Sequence, residues 1–359
     1  MRVATVTPPA FGTTGPGARL PLRAVRQPLR TRRVLVVSAL LVLLVLAALA
    51  SLAIGAKPIP IATVWDALWS PAQTLDAIVV RTLRIPRTLL GILVGIALGM
   101  AGALMQGHTR NPLADPGLLG VNAGATFAVV VGIYALDVTS LTGYVWFAFA
   151  GALIASVLVF LLGTLGRGGP TPVTLALAGV ALAALLQALT SALVLADAKT
   201  LDAYRFWSVG ALAGRDPSIT AQVAPFLLAG LVLAAANAPG LNLLSLGEEV
   251  ARSLGQRVAL TRCIGLAAVT LLAGAATAAC GPIWFLGLVA PHAARTLTGP
   301  DYRWLLPASG LAGAVLLLIT DVIGRVVARP GELPVGIVIA LIGAPFFIAL
   351  VRRRRLAKL

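Results

Sequence analysis

RTLLGILVGIALGMAGALMQGHTRNPLADPGLLGVNAGA, residues 87–125, contains a long apolar run and then a sharp break. After Arg87, residues 88–106 carry no charge and are dominated by Leu, Ile, Val, Ala, Gly and Met. At about 1.5 Å per residue, such a helix reaches the ~30 Å of a bilayer's hydrocarbon core. NPLADPG then interrupts the pattern. Asn111-Pro112 ends the helix, because a residue before proline is pushed out of the helical region. Asp115 followed by Pro116 is an N-cap with a first helical residue. Gly117 and Gly120 let backbone approach closely. Two readings of the break stay open: a tight turn between two helices, or a broken helix whose N-terminus borders a pathway.

Working outward, comparable runs recur. Ten spans are predicted, at 34–55, 87–106, 117–135, 143–165, 172–196, 218–238, 258–279, 283–298, 304–328 and 335–351. Composition agrees: 59% of residues are hydrophobic and 11% charged, against about 25% charged in soluble domains. The expected fold class is all-α, a polytopic membrane protein of about ten transmembrane helices. Residues 1–33, rich in Pro, Gly, Thr and Arg, are too polar to insert. They lack the basic start and immediate apolar core of a signal peptide. They are expected to be a disordered tail, with 34–359 forming the membrane domain.

An even number of spans puts both termini on one side. The tail carries Arg19, Arg23, Arg26, Arg30, Arg32 and Arg33, and the C-terminus carries Arg352 to Arg355 and Lys358. The excess of basic residues at both ends makes both cytoplasmic. Segments 107–116, 166–171, 239–257 and 299–303 then lie inside. Segments 56–86, 136–142, 197–217, 280–282 and 329–334 lie outside. The net charge of +16 suits this topology and anionic lipid, and no nucleic-acid partner is expected. Arg81, Arg84 and Arg87 sit outside, against the charge rule.

Spans two and seven run in opposite directions. Both are rich in Gly and Ala, and each is followed by a Pro/Gly-broken segment and a short span. Corresponding interrupted elements in two halves point to inverted repeats around a transport pathway. Small residues at helical spacing also serve plain close packing.

Chemistry-bearing residues are sparse. Cys263 and Cys280 imply no disulfide framework. His108 and His292 lack acidic companions, so no metal site is expected, and no catalytic constellation supports an intramembrane enzyme. Asp321 and Arg325, four apart within a span, read either as a functional pair or as a self-satisfied ion pair. Apart from Asp321 the spans hold almost no acid, which argues against a proton- or ion-coupled secondary transporter. All three lysines (Lys57, Lys199, Lys358) follow alanine, so no Gly-Lys-Ser/Thr phosphate loop exists. ATP-driven work would need another chain.

Glu248 and Glu249 are the chain's one adjacent acid pair. Bracketed by Gly247 and Gly255, with Arg252 near its end, GEEVARSLG is predicted as a helix of about two turns. Its acids lead and its base trails, complementing the helix dipole. Val250 and Leu254 share one side. Too short to be stable alone, it must pack on something. It reads as a solvated loop helix or as a docking element for a soluble partner.

Four stretches together resemble the FecCD family: RIPRTLLGILVGIALGMAGALMQGHTRNPLADPGLLGVNAGA (84–125), SLGEEVARSLG (245–255), GPIWFLGLVAPHAAR (281–295) and GELPVGIVIALIGAPFF (331–347). The resemblance covers nearly all of 34–355. Within the family, QGHTRNPLADPGLLGVNAGA and RFWSVGALAG look most like permeases of the ferric-enterobactin type. The resemblance implies a ten-helix permease of a type II ATP-binding cassette importer for ferric siderophores, haem or cobalamin in the inner membrane. It implies a second permease subunit (identical or a paralogue), two cytoplasmic ATPases using ATP and Mg, and an extracytoplasmic substrate-binding protein. No cofactor is expected on this chain.

By the same resemblance Gly247, Glu248, Glu249, Arg252, Leu254 and Gly255 form the coupling helix that seats in the ATPase. Arg84, Arg87 and Arg325 would receive carboxylates of the binding protein. On the broken-helix reading of the residues, and not from the resemblance, Asn111, Pro112, Asp115, Pro116 and Gly117 form the element that borders the pathway. The family's hydroxyl gate falls near Thr171–Thr174, where Pro172 and Val173 intervene, so gate residues are not carried over.

Overall fold

The computed structural model describes residues 29–69, 74–164 and 171–352. Most of the expected tail, residues 1–28, lies outside the described residues. Residues 29–33, expected in the tail, begin the first helix.

The helices run α1 (Leu29–Ala53), α2 (Ile61–Trp69), α3 (Leu75–Val79), α4 (Ile85–Thr109), α5 (Val121–Leu136), α6 (Leu141–Thr164) and α7 (Pro172–Ala196). The second part adds α8 (Ala198–Trp207), α9 (Pro217–Leu244), α10 (Glu248–Ser253), α11 (Val258–Cys280), α12 (Leu286–Thr298), α13 (Tyr302–Val327) and α14 (Val335–Arg352). The described residues contain no strand. All ten expected spans are helices. Among the described residues, seven helices are long and apolar enough to cross a membrane. The other three spans, α5, α12 and α14, are shorter.

Three helices fall in segments expected to be loops: α2, α3 and α8. A π-turn at Val80–Arg84 joins α3 to α4, giving one helical run from Leu75 to Thr109. Pro86 explains the π-turn: with no N–H and a ring that crowds the preceding turn, it fits where the helix widens by one residue.

Four of the chain's twelve acids cap helix starts. Asp115, Asp197, Asp216 and Asp301 each accept a backbone N–H as N-cap, of the 3-10 turn Pro116–Leu119 and of α8, α9 and α13 respectively. Each satisfies a donor that the first helical turn leaves unpaired.

α4 and α11 form the buried centre. α4 packs on α13, α11, α12 and α9, while α11 packs on α9, α4 and α6. Two of the main contacts repeat with a shift of five spans: α5–α6 matches α12–α13, and α4–α13 matches α11–α6. Glycine makes the closest of these approaches possible. A Cβ on Gly95 would strike the backbone of Ala314, and one on Gly124 the backbone of Gly151. Such contacts are how membrane helices gain packing energy without a hydrophobic drive between them.

The loops separate into two ends, as strict alternation of spans requires. One end gathers the start of α1, the ends of α4 and α9, α10, and the start of α13. Here Arg110 donates to Leu244 O (2.5 Å) and Arg33 pairs with Asp301 (3.1 Å). The opposite end gathers the end of α1, the start of α4, the 208–216 loop and residue 332.

Candidate functional site

Three regions hold the expected site residues. The first lies inside the bundle, where the two broken segments meet beside Gly102 of α4. α4 ends at Arg110, in a left-handed conformation that lets Arg110 and Asn111 close the turn on Gln106 and Gly107 carbonyls. Asn111 Oδ1 accepts from Leu113 N (2.9 Å), and Asp115 Oδ1 from Gly117 N (2.8 Å). Pro116 starts a single 3-10 turn, and Gly120 (φ 71°) restarts the chain as α5. Between α4 and α5 the chain is therefore interrupted by a turn and one 3-10 turn.

The counterpart, Gly281–Phe285, also lacks regular structure before α12. A Cβ on Gly287 would lie 2.8 Å from Pro116 Cδ and 3.3 Å from Asp115 Oδ2, and one on Gly117 3.5 Å from Trp284. A Cβ on Gly102, within α4, would strike the Gly287 carbonyl. The two breaks thus face each other beside α4. Asn122 Oδ1 accepts from Thr277 Oγ1 (3.0 Å), tying α5 to α11. Irregular backbone at such depth is tolerated only inside protein or beside a cavity.

The second region is α10. Gly247 (φ 119°) and Gly255 (φ 81°) both take conformations that side chains disfavour, so the glycine bracket is a backbone requirement. Only Ala251 of the helix is buried. Glu248 is held from two sides, by Arg252 (2.6 Å) and by Arg262 of α11 (2.8 Å). Glu249, Val250 and Leu254 face outward, Leu254 being 59% exposed. Glu248, expected as a partner contact, therefore spends both oxygens tying α10 to itself and to α11. The outward face is Glu249, Val250 and Leu254, with Leu246 beside them.

The third region, at the opposite end, is a recess of about 640 Å³ lined by Arg84, Arg87, Arg215, Arg325, Lys57 and Glu332 among others. The three arginines expected to dock a partner do converge here. Arg84 donates to the carbonyls of Leu52, Ala53 and Lys57 (2.6, 2.9 and 2.5 Å). Arg325, 2% exposed, donates to Ser51 O and Oγ (2.9 and 2.8 Å) and pairs with Asp321 (3.0 Å). Arg329 reaches Gly55 O (2.7 Å).

Three guanidinium groups therefore gather on the carbonyls at and just past the end of α1, where the helix dipole is negative. Arg87 takes both oxygens of Asp321 through a two-pronged contact (2.8–3.2 Å) and reaches Glu332 (2.6 Å). Asp321–Arg325 is thus a buried ion pair extended by Arg87. Of the three expected docking arginines, Arg87 alone is neutralised by a partly exposed acid. No local pattern in the sequence signals the capping role of Arg84 and Arg325, since the end of α1 lies far from both in the chain.

His108 and His292 stay apart. His108 Nε2 pairs with the Asn237 amide (2.8 Å), and His292 packs edge-on against Phe346. Among the described residues no group of three metal-ligating side chains exists. Thr171 and Thr174 bond each other as a capping box at the start of α7.

Residues 43–353 match the model of the FecCD transport family. The chain is 51% identical over 326 residues to the ferric enterobactin transport system permease protein FepD of Escherichia coli, covering 90% of this chain and 96% of that one. It is 38% identical to the hemin transport system permease protein HmuU of Yersinia pestis, over 91% of this chain and 98% of that one. Among solved structures, an inward-facing metal-chelate type ABC transporter superposes with a TM-score of 0.77 at 30% identity, covering 89% of this chain and 99% of that one. With the ten expected spans all helical and in order, and a family match over residues 43–353, the chain belongs to the FecCD transport family.

Proposed function

We propose that this chain is the permease subunit of an ATP-driven importer that carries ferric siderophores across the cytoplasmic membrane. The observation that carries the reading is its 51% identity, across nearly the whole of both chains, to a ferric enterobactin permease. The geometry supports it. Two interrupted elements face each other at depth, one end presents a small apolar element, and the other end presents a polar recess.

The chain pairs with a second permease subunit, identical or paralogous. Two cytoplasmic ATPases, using ATP and Mg, seat on α10 through Val250, Leu254 and Glu249. A substrate-binding protein docks over the arginine recess on the outer face, and both termini of the permease are cytoplasmic. ATP closes the ATPase dimer, α10 moves with it, and the pathway beside the broken segments opens to alternate sides. Nothing covalent happens to the cargo in the permease. Directionality follows from the different affinities of the two conformations for ATP and for the loaded binding protein.

Reconstitution with its ATPase and binding protein tests the reading. ATP-dependent uptake of a ferric catecholate or hydroxamate is expected. Uptake of haem or cobalamin alone would replace the substrate assignment, and absence of ATP-dependent uptake of all four would overturn it. Charge reversal of Arg84 is a poor docking probe, because it also uncaps α1. Glu332→Gln and Arg87→Lys change the recess with less damage to that cap.

A further inference from the structure

α2 has an unusual surface for a helix in a connecting segment. Val64 and Ala67 are buried against Ile59, Ala77 and Val80. The opposite side presents Ile61, Trp65, Leu68 and Trp69, at i, i+4, i+7 and i+8, with the two indoles 63% and 74% exposed. Their ring centroids lie 5.9 Å apart. Asp66 is the single charged residue of the helix. The helix is held in place from inside: Arg81 Nε donates to Ala67 O (2.6 Å) in its last turn. A water-facing helix of this composition would leave two indoles, each offering ~150–250 Å² of surface, in solvent.

Depth gives the alternative. The helical run Leu75–Thr109 has 35 residues, or about 52 Å, longer than a bilayer with its headgroups at ~40–45 Å. α2 packs on Ala77 and Val80, and Val80 lies about 44 Å from Thr109 along that run. With Thr109 at one membrane surface, α2 falls at the headgroup level of the other. Both neighbouring spans expose apolar residues at this end: Leu49 and Ile54 at the end of α1, and Ile78, Leu83 and Leu89 along α3–α4. Headgroup depth is where tryptophan is enriched, because its ring is apolar and its N–H is satisfied by water or ester oxygens.

We infer that α2 is an interfacial anchor whose Ile61–Trp65–Leu68–Trp69 face lies in the headgroup region of the leaflet opposite α10. The partner is the lipid surface. The anchor holds the end of α1 and the start of α4 at a fixed depth, and with them the arginine recess.

The test uses the full chain in phosphatidylcholine bilayers brominated either near the acyl carbonyl or near the acyl terminus. Tryptophan emission is compared between wild type and W65F/W69F, with the singles W65F and W69F as variants that change less. The wild-type-minus-variant emission is expected to fall about twofold with bromine near the carbonyl, and little with terminal bromine or aqueous iodide. Quenching of that difference by iodide would place the indoles in water and overturn the inference. Quenching by neither agent would place them under protein, a second copy or another subunit, and overturn it equally.

Discussion

Asp321 is fully buried and accepts from two arginines that come from different helices, Arg87 from α4 and Arg325 from its own helix, α13. Removing its charge leaves both guanidinium groups without their shared counter-ion in the bundle. Such losses cost about 3–5 kcal/mol, far more than an exposed pair at about 0–1 kcal/mol. Asp321→Asn is therefore expected to lower the thermal midpoint in detergent sharply. Glu332→Gln, which alters only the partly exposed end of the same chain of charges, should move it little. Equal shifts would show that Asp321 is not the hub.

Asp301 is a second node, at the α10 end. It accepts from Arg33 and from Asn242 while capping α13. Burial alone would raise its pKa, but the Asn242 and Arg303 N–H bonds and the nearby Arg33 and Arg303 charges outweigh it and hold the carboxyl below its usual value. A depressed carboxylate stabilises the fold above its unfolded pKa and loses that contribution as pH falls through its folded one. Asp301→Asn is expected to be less stable than wild type at neutral pH, with the gap closing below about pH 4. A gap independent of pH would show that shape, and not charge, is what Asp301 supplies.

At the scale of elements, α10 divides its labour between its faces. Ala251 and Glu248 hold it to the bundle, and Val250 and Leu254 point away. Val250→Asp with Leu254→Ser should therefore weaken co-purification of the ATPase by tenfold or more, as loss of central apolar contacts does at interfaces, while leaving the permease's own thermal midpoint unchanged. Glu248→Gln should show the opposite pattern, a lower midpoint first. The element itself was legible in the sequence, because paired glycines, acids first and a base last are local signals. The roles of its two glutamates were not, since Arg262 lies fourteen residues further on, in another helix.

α2, α3 and α8 fall in segments that the hydropathy pattern marks as loops, for a related reason. Each is short, and their stability comes from packing that a linear pattern does not display. Prolines within α9, α12, α13 and α14 likewise fail to stop those helices. In a membrane bundle neighbouring groups take up the freed backbone valences.

At the scale of the whole molecule, the bundle closes on small residues. α4 meets α13 through Gly95 and Gly99 against Ala314, Gly313, Gly310 and Ser309. Gly99→Val is expected to abolish monodisperse protein in detergent, because its first added atom strikes the Ser309 carbonyl. Gly214→Ala is the contrast: nothing lies within 4 Å, and the left-handed φ of 68° alone costs about 1–2 kcal/mol. Normal yield of the valine variant would mean that the helices can part at this seam.

The sequence by itself determined the ten spans, the break after α4, the Asp115 cap and the bracketed helix, because hydropathy, proline and capping act over a few residues. Tertiary structure decided the rest. Arg84 and Arg325 cap the end of α1, Arg87 finds Asp321 across 234 positions of chain, and the two broken segments meet beside Gly102. Buried guanidinium groups take whichever acceptors the packed helices bring to them. That choice depends on contacts between distant segments, which no local pattern encodes.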